Sequence, residues 1–530
     1  MPPKTFRYMS DAAKPRNGDT RGHNMKSNPT VSEKTITSTL TAAATAVTNT
    51  TTTASNHNHN HNHNTNNNTT TSSHHDITTA QYSNGSNHIS IRTPLISVGG
   101  RNGNGWDTPP LRYRTDLDKH VIHFAFQRFP HSIEIVEDED VIAGDWNFFW
   151  MNVGRIRSIF ATSEYRLTDS QIINHFPNHY ELTRKDLMYK NIKKYIRDPA
   201  NAHICIPHTP PPSSVQFPLI ETNNTTTITR GMSSSALPCN PFSLRFSECV
   251  PVTYNIPNDL QMFVEEFRRQ PGSTWIVKPT ARSQGRGIFL INRISQLKRW
   301  LKEKKEIDEL EGNPVSGFIV SKYVVDPLLI GGKKFDLRLY VLVTSFKPLV
   351  AYLHEEGFAR FCATRYVASA LDDDNLHAHL TNVALQKGDE AYNNSHGGKW
   401  SLANLCLFLR GRYGAACADG LLRSIEFVIQ HSLRAVAPVM FNDKHCFELY
   451  GYDILIDSSL RPHLIEVNAS PSLSTTTVSD RLLKESVLED VLRVIFPPGF
   501  PSPQAMSYWE YRVRTDMTTA LPTGFRLLQE

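Results

Sequence analysis

"GYDILIDSSLRPHLIEVNASPSL", residues 451–473, reads as two apolar-rich runs around a polar turn at Ser458, Ser459, Leu460 and Arg461. Such runs flanking a short turn predict an antiparallel hairpin, and a turn of these four residues places Asp453 directly across from Glu466. Two carboxylates opposed on a buried face repel each other and are costly to desolvate. A divalent cation between them removes both penalties. Asn468 shares the face of Glu466 by the period of two and adds a neutral oxygen, so Asp453, Glu466 and Asn468 make an all-oxygen set suited to magnesium. The same residues leave open a protonated acid, or a lysine brought in from elsewhere.

Working outward, "STWIVKPTARSQGRGIFLIN" (273–292) reads as strand, glycine loop, strand. The glycines lead into a strand rather than a helix, which excludes a Walker A loop. What remains is a glycine hairpin whose Gly285 and Gly287 amides can approach phosphate oxygens closely, with Lys278 as a point charge at the end of an apolar strand. A purely structural hairpin uses the same glycines. In "GGKKFDLRLYVLV" (331–343), Lys334, Asp336 and Arg338 share one strand face while Phe335, Leu337 and Leu339 take the other, a pattern of a polar cleft or of a solvated face. "EEGFARF" supplies Arg360, "HLTNVALQK" supplies Thr381 and Asn382, and "YNNSHGGKW" supplies Lys399; such cations can hold the carboxylates of an acidic small substrate.

The rest of the chain supports an α+β pattern rich in antiparallel hairpins. "HVIHFAFQRF" (120–129) has strand-like content, and order is expected from about Leu117. "ELTRKDLMYKNIKKYIRD" (181–198) predicts a helix with Thr183 as N-cap, Asp186 three residues later and apolar positions 187, 188, 192, 195 and 196 on one face, its Lys and Arg residues being the solvated face. Further helices are expected over 293–310, with Ile294, Leu297 and Leu301 inward, over 421–436, and over 480–496, the last ended by Pro497 and Pro498. The boundaries read from composition are a disordered tail at 1–113, an N-terminal domain at 114–198 and a low-complexity insertion at 199–248. From 249 onward the sequence is compact.

Composition limits the functions available. The 530 residues exceed what one core organises. The Thr/Asn/His tract before residue 113 has almost no large apolar side chains with which to offset ordering entropy; its alternating His57, His59, His61 and His63 read as a low-complexity expansion rather than a metal site. Residues 1–110 hold nine Lys/Arg against five Asp/Glu, leaving 47 basic against 46 acidic residues beyond them. A folded part so close to neutral implies no strong binding to a polyanion, and no nucleic acid as partner. Seven scattered cysteines without CxxC pairs suggest neither a disulfide framework nor a zinc site and fit a reducing compartment. No apolar leader opens the chain, and no run approaches the roughly 18 apolar residues of a spanning helix, so a soluble, intracellular protein without membrane contact is expected.

Taken together, "WIVKP…SQGRGIFL", "PLLIGGKKFDLRLYVLV", "HLTNVALQK", "HGGKW" and "YGYDILID…LIEVNASPSL" resemble the tubulin tyrosine ligase-like family. The upstream "DWNFFW", "NHFPNHYELTRKDLM" and "VPVTY…FVEEFR" make the chain most similar to the branch that forms the catalytic subunit of the tubulin polyglutamylase complex. The resemblance covers about 119–500. It implies an ATP-grasp-like fold with nucleotide between two α+β lobes, preceded by a small N-terminal domain and the tail. The division into a central lobe at 249–332, a C-terminal lobe with the metal site at 333–500 and a tail at 501–530 is likewise what the resemblance implies, not what composition shows. It also implies a ligase that uses ATP and magnesium to join free L-glutamate to glutamates in the acidic C-terminal tails of tubulin through an acyl phosphate. By position, Lys278, Gln284 and Gly285 match the family's phosphate-side contacts, and Ser321, Lys322, Tyr323 and Val324 the segment along adenine. Lys334, Asp336, Thr381 and Asn382 complete the nucleotide pocket, Arg360 and Lys399 match residues that hold glutamate, and Asp453, Glu466 and Asn468 match the magnesium ligands. Lys278, Arg338 and Glu466 are the expected catalytic residues. Cytoplasm, cytoskeleton and the cilium or basal body are the implied locations, and accessory subunits the implied partners, since a nearly neutral folded part needs help to recognise acidic tails.

Two competing readings stand beside this one. A glycine or tyrosine ligase of the same fold is disfavoured because an uncompensated Arg360–Lys399 cation pair has no use for glycine. An inactive ciliary scaffold is disfavoured by the complete Asp453/Glu466/Asn468 set. A protein kinase ranks a poor third, since no H-R-D or D-F-G element occurs.

Overall fold

The strand over Lys333–Phe346 is buried on both faces beyond its first few residues, and this sets the layering. Phe335, Leu337, Leu339, Val341 and Val343 enter one core, and Tyr340 and Leu342 enter a second core on the other side of the sheet. Burial of each such aliphatic side chain contributes about 1.5–3 kcal/mol. Only where the second face opens, at Asp336 and Arg338, can charged side chains stand on it. The computed structural model describes residues 109–129, 132–134, 146–161, 167–211, 243–280, 285, 287–311, 317–368, 376–382, 386, 398–515 and 523–529. The His57–His63 tract, the centre of the expected insertion and Gln284 lie outside the described residues.

The N-terminal part contains β1 (Leu111–Thr115), α1 (His120–Gln127), β2 (Ser132–Glu134), β3 (Phe148–Trp150), α2 (Ile156–Ala161), β4 (Ile172–Ile173), α3 (Tyr180–Thr183) and α4 (Lys185–Arg197). Its strands form a parallel sheet in the order β2-β1-β3-β4. Three expectations are corrected here. The first strand opens at Leu111, ahead of Leu117. "HVIHFAFQ" is helix rather than strand, because Val121, Ile122, Ala125 and Phe126 recur at helical spacing and all four are buried. Thr183 is not the N-cap of α4: it ends α3 with its hydroxyl on the His179 carbonyl, and Arg184 occupies the cap position while pairing with Asp186 at 2.7 Å.

The flanks of the expected insertion are ordered. Cys205–Pro207 (β5) pairs with Ser243–Arg245 (β6) in an antiparallel ribbon, and the 3-10 turn at Phe246–Cys249 buries Phe246 and Cys249 in the main core. The central lobe follows as β7 (Thr253–Ile256), α5 (Leu260–Arg269), β8 (Trp275–Pro279), β9 (Phe289–Ile291), α6 (Ile294–Glu311) and β10 (Phe318–Lys322). Its antiparallel sheet runs β7-β10-β8-β9 over a core of Tyr254, Phe263, Trp275, Val277 and Leu297, with Ile294 and Leu301 packed against it.

The C-terminal lobe contains β11 (Leu329–Ile330), β12 (Lys333–Phe346), β13 (Leu349–Phe361), α7 (Leu376–His379), β14 (Lys399–Ser401), α8 (Leu402–Tyr413) and α9 (Ala415–Val436). It continues with β15 (Glu448–Ile456), β16 (Pro462–Asn468), α10 (Val478–Ile495), α11 (Tyr508–Tyr511) and β17 (Phe525–Leu527). The sheet runs β14-β13-β12-β15-β16, with α9 on the first core and α10 on the second. Gly451 pairs with Asn468, Tyr452 with Val467 and Asp453 with Glu466, as the hairpin reading expects. The turn itself differs: Ile454 pairs with Leu464, so Ile465 bulges, and the connection spans 457–461 rather than 458–461. The Asp457 carboxylate accepts from the Ser459 and Arg461 N–H groups at 2.9 Å each, and Leu460 takes φ 61°. The longer turn and the bulge cancel, which restores the expected register at the two carboxylates.

Candidate active site

Between the central and C-terminal lobes lies a cleft that is partly open to solvent. Lys278, Gly285, Ser321, Lys322, Tyr323, Val324, Lys334, Asp336, Thr381, Asn382, Asp453 and Glu466 all line it, so residues more than 180 positions apart in sequence converge on one space. Apolar walls come from Ile276, Ile288, Leu380 and Leu455. Gly285 (φ 75°) stands where a side chain would be strained, and a Cβ there would lie 3.6 Å from the Asn382 amide.

The cations are positioned by the sheets. Lys278 extends from β8 and is 7% exposed; burial pushes its ammonium down to about 8, opposed chiefly by Glu466. Lys334 donates to the Tyr323 hydroxyl at 2.9 Å and the His379 carbonyl at 3.0 Å, with the Tyr323 ring 4.5 Å away, and burial lowers its pKa as well.

Across the C-terminal sheet, charges alternate in register. Arg338 of β12 faces Asp453 of β15 and grips it with two bonds, 2.7 and 3.1 Å, and Asp453 in turn faces Glu466. One pair of residues along, Asp336 faces Arg360, which holds it at 2.6 and 2.8 Å and reaches Asp453 at 2.9 Å; Arg360 faces Lys399 on its other side. Thr381 donates to Asp336 at 2.6 Å. Burial alone would raise the Asp453 carboxyl, but the two guanidinium groups hold it far below the usual carboxylate range.

A glycine hairpin with a buried lysine, a cleft between lobes and an acid-lined sheet edge are what a nucleotide-dependent ligase needs. The model of the tubulin-tyrosine ligase family matches residues 162–504. The chain belongs to the tubulin-tyrosine ligase family. Among similar proteins of this family, a probable alpha-tubulin polyglutamylase of Tetrahymena thermophila is 42% identical over 396 residues, 73% of this chain and 86% of the relative. A probable tubulin polyglutamylase of Rattus norvegicus is 37% identical over 412 residues, 73% of this chain and 79% of the relative. A human tubulin polyglutamylase is 34% identical over 367 residues, 66% of this chain but 24% of that longer protein.

For a member of this family, the structure adds a residue that the sequence reading dismissed. Lys185, in the first turn of α4, lines the cavity and meets Glu466 at 3.0 Å. The overlooked signal is its place: a cation at a helix N-terminus is unfavourable against the helix dipole and calls for a reason. The lysine that the hairpin analysis left open is thus present, and Lys185, Arg338 and Arg360 already neutralise the opposed carboxylates. Charge balance alone therefore does not demand a metal.

The argument from an uncompensated cation pair is corrected likewise. Arg360 is held by Asp336 and Asp453, and Lys399 by Asp480 at 3.0 Å, which also binds Lys484 at 3.2 Å. Burial lowers the Lys399 pKa against the pull of Asp480. Arg338, Arg360, Lys399 and Asn468 thus surround the cavity lining rather than form it.

Asp453, Glu466 and Asn468 occupy one corner, with the Asn468 amide nitrogen 3.4 Å from an Asp453 oxygen. Two carboxylates and an amide offer hard oxygens only, and the Glu466 side chain is 24% exposed towards the cavity, so the set fits magnesium.

Proposed function

We propose that the chain is a tubulin polyglutamylase: an ATP-dependent ligase that joins the amino group of free glutamate to the γ-carboxylate of glutamates in tubulin C-terminal tails. The observation that carries this reading is the convergence of Lys278, Lys334, Asp336, Thr381, Asn382, Asp453 and Glu466 on one cavity in a chain whose similar relatives bear polyglutamylase names. Those names, rather than the cation pairs, favour glutamate over glycine or tyrosine.

In this reading ATP is a substrate held between the lobes, with adenine along 321–324 and phosphates toward Lys278, Lys185 and Gly285. Asp453, Glu466 and Asn468 would hold magnesium, which when bound neutralises phosphate charge. An oxygen of the acceptor γ-carboxylate attacks the γ-phosphorus as ADP leaves, and Lys278 and Lys185 stabilise the developing charge. The glutamate amine, having lost a proton, then attacks the acyl carbonyl and inorganic phosphate leaves, forming the isopeptide bond. Arg360 and Lys399 hold the glutamate carboxylates once Asp336, Asp453 and Asp480 yield part of their hold. Arg338 keeps Asp453 ionised and in place. Accessory subunits and a site of action at cytoplasmic or ciliary microtubules belong to this same proposal.

The test is incorporation of labelled glutamate into microtubules by the full chain, alone and with candidate accessory subunits, beside Glu466→Gln. Incorporation abolished by the substitution is expected; incorporation of glycine or tyrosine instead, or of nothing under any condition, would overturn the reading.

A further inference from the structure

The basic residues of α4 beyond Lys185 have no part in the cavity; Lys190, Lys194 and Arg197 lie on the solvated face, as the sequence reading expects, and Lys193 is half-buried. Lys190, Lys193, Lys194 and Arg197 line one open groove between α4 and the β7–α5 segment. Lys194 and Arg197 stand in the last turn, where the helix dipole by itself accounts for cations. It does not account for Lys190 and Lys193. Of the acids at the groove, Asp259 lies 4.0 Å from Lys193 and accepts from the Asn255 N–H, and Glu181 accepts from the Asn191 amide. Among the described residues no carboxylate pairs with Lys190, Lys194 or Arg197. The groove lining therefore holds four basic residues against two acidic ones, a net positive surface in a folded part that carries almost no net charge.

Its position is as telling as its charge. Tyr189 lines both the groove and the nucleotide cavity, its hydroxyl 3.5 Å from the Ile465 carbonyl beside Glu466. Helix α4 thus begins at the reaction centre with Lys185 and continues along the groove. From Lys190 through Lys193 and Lys194 to Arg197 the helix rises about 10 Å in steps of about 5 Å. In an extended peptide, side chains on one side recur about every 6.6 Å, so three successive carboxylates on one side of a Glu-rich strand come near these three rungs.

We infer that the α4 groove is the docking surface for the acidic tubulin tail, holding the stretch of glutamates next to the acceptor residue while the acceptor lies beside Lys185 and Glu466. This rests on the polyglutamylase reading and adds to it where the protein substrate binds. The groove, rather than net charge, then supplies the attraction to an acidic partner, and that attraction is screened by salt.

The experiment uses the full chain with the triple substitution Lys190→Ala, Lys194→Ala and Arg197→Ala, none of which touches the nucleotide cavity. A charge-preserving control carries Lys190→Arg, Lys194→Arg and Arg197→Lys. Binding of a labelled ten-residue Glu-rich peptide by anisotropy, and the KM for tubulin in glutamate incorporation, are measured between 50 and 300 mM salt. The expected result is a roughly tenfold weaker peptide affinity and a similar rise in the KM for tubulin, a shallower salt dependence, unchanged KM for ATP, and recovery in the control. Unchanged peptide affinity overturns the inference. So does an equal loss of binding to microtubules whose tails have been removed by protease, which would assign the groove to the tubulin body. If the unsubstituted chain incorporates no glutamate, the polyglutamylase reading fails by itself, and peptide binding still decides the groove.

Discussion

Lys278 should make ATP affinity depend on pH in a calculable way. Without nucleotide its ammonium is buried and titrates at about 8, well under its ordinary 10.5. A triphosphate placed against it favours the charged form, so the pKa in the complex lies above 8 and binding takes up a proton. The sign follows: affinity is full below pH 8 and is lost as the pH rises through 8. Each pH unit above the free-state value costs about 1.4 kcal/mol, a factor of about ten. Between pH 7 and pH 9 the Kd for a non-hydrolysable ATP analogue should therefore rise about tenfold, with proton uptake near half an equivalent at pH 8. Isothermal titration calorimetry in two buffers of different ionisation enthalpy reads both quantities. Lys278→Arg should flatten the profile because guanidinium does not titrate there, while Lys278→Met should bind weakly at every pH. A Kd constant from pH 7 to pH 9 without proton uptake would refute the reasoning, and a slope that persists in Lys278→Arg would move it to Lys334, whose pKa is also lowered by burial.

Two further outcomes are expected. Lys185→Met removes the partner of Glu466 from a partly exposed position, so nucleotide affinity should fall about tenfold, in line with the loss of one charged hydrogen bond, while the melting temperature moves by less than about 2 °C; an unchanged Kd would place the phosphates elsewhere. Glu448→Gln breaks a wholly buried pair, in which Glu448 meets His175 at 2.6 Å and accepts from the Phe176 N–H at 2.9 Å. Weakening this buried hydrogen-bonded pair should destabilise the chain by about 1–3 kcal/mol in denaturant unfolding, and a loss below about 0.5 kcal/mol would show that the pair adds nothing to the hold of the N-terminal part on the C-terminal sheet.

How much of this could be read in the chain depends on whether the governing interaction is local. The period-two pattern of 333–343 placed Lys334, Asp336 and Arg338 on one face because side-chain alternation is a property of a single strand. The pairing of Asp453 with Glu466 was legible because a hairpin joins near neighbours, although the turn and bulge that produce it were not, since a five-residue turn closed by Asp457 and a bulge at Ile465 leave no periodic trace. "HVIHFAFQ" was misread because β-branched and aromatic residues favour strands, and packing overrode that preference.

The α+β character, the strand faces, the glycine hairpin and the family are all legible in the order of residues alone. Folding in three dimensions settles which charges meet: that Lys185 of α4 reaches Glu466, that Asp480 holds Lys399, and that the exposed cations of α4 share one groove with the β7–α5 segment. Each of these contacts joins elements far apart in the chain. Coulomb energy depends on distance and burial in space, quantities that no pattern of spacing along the sequence contains.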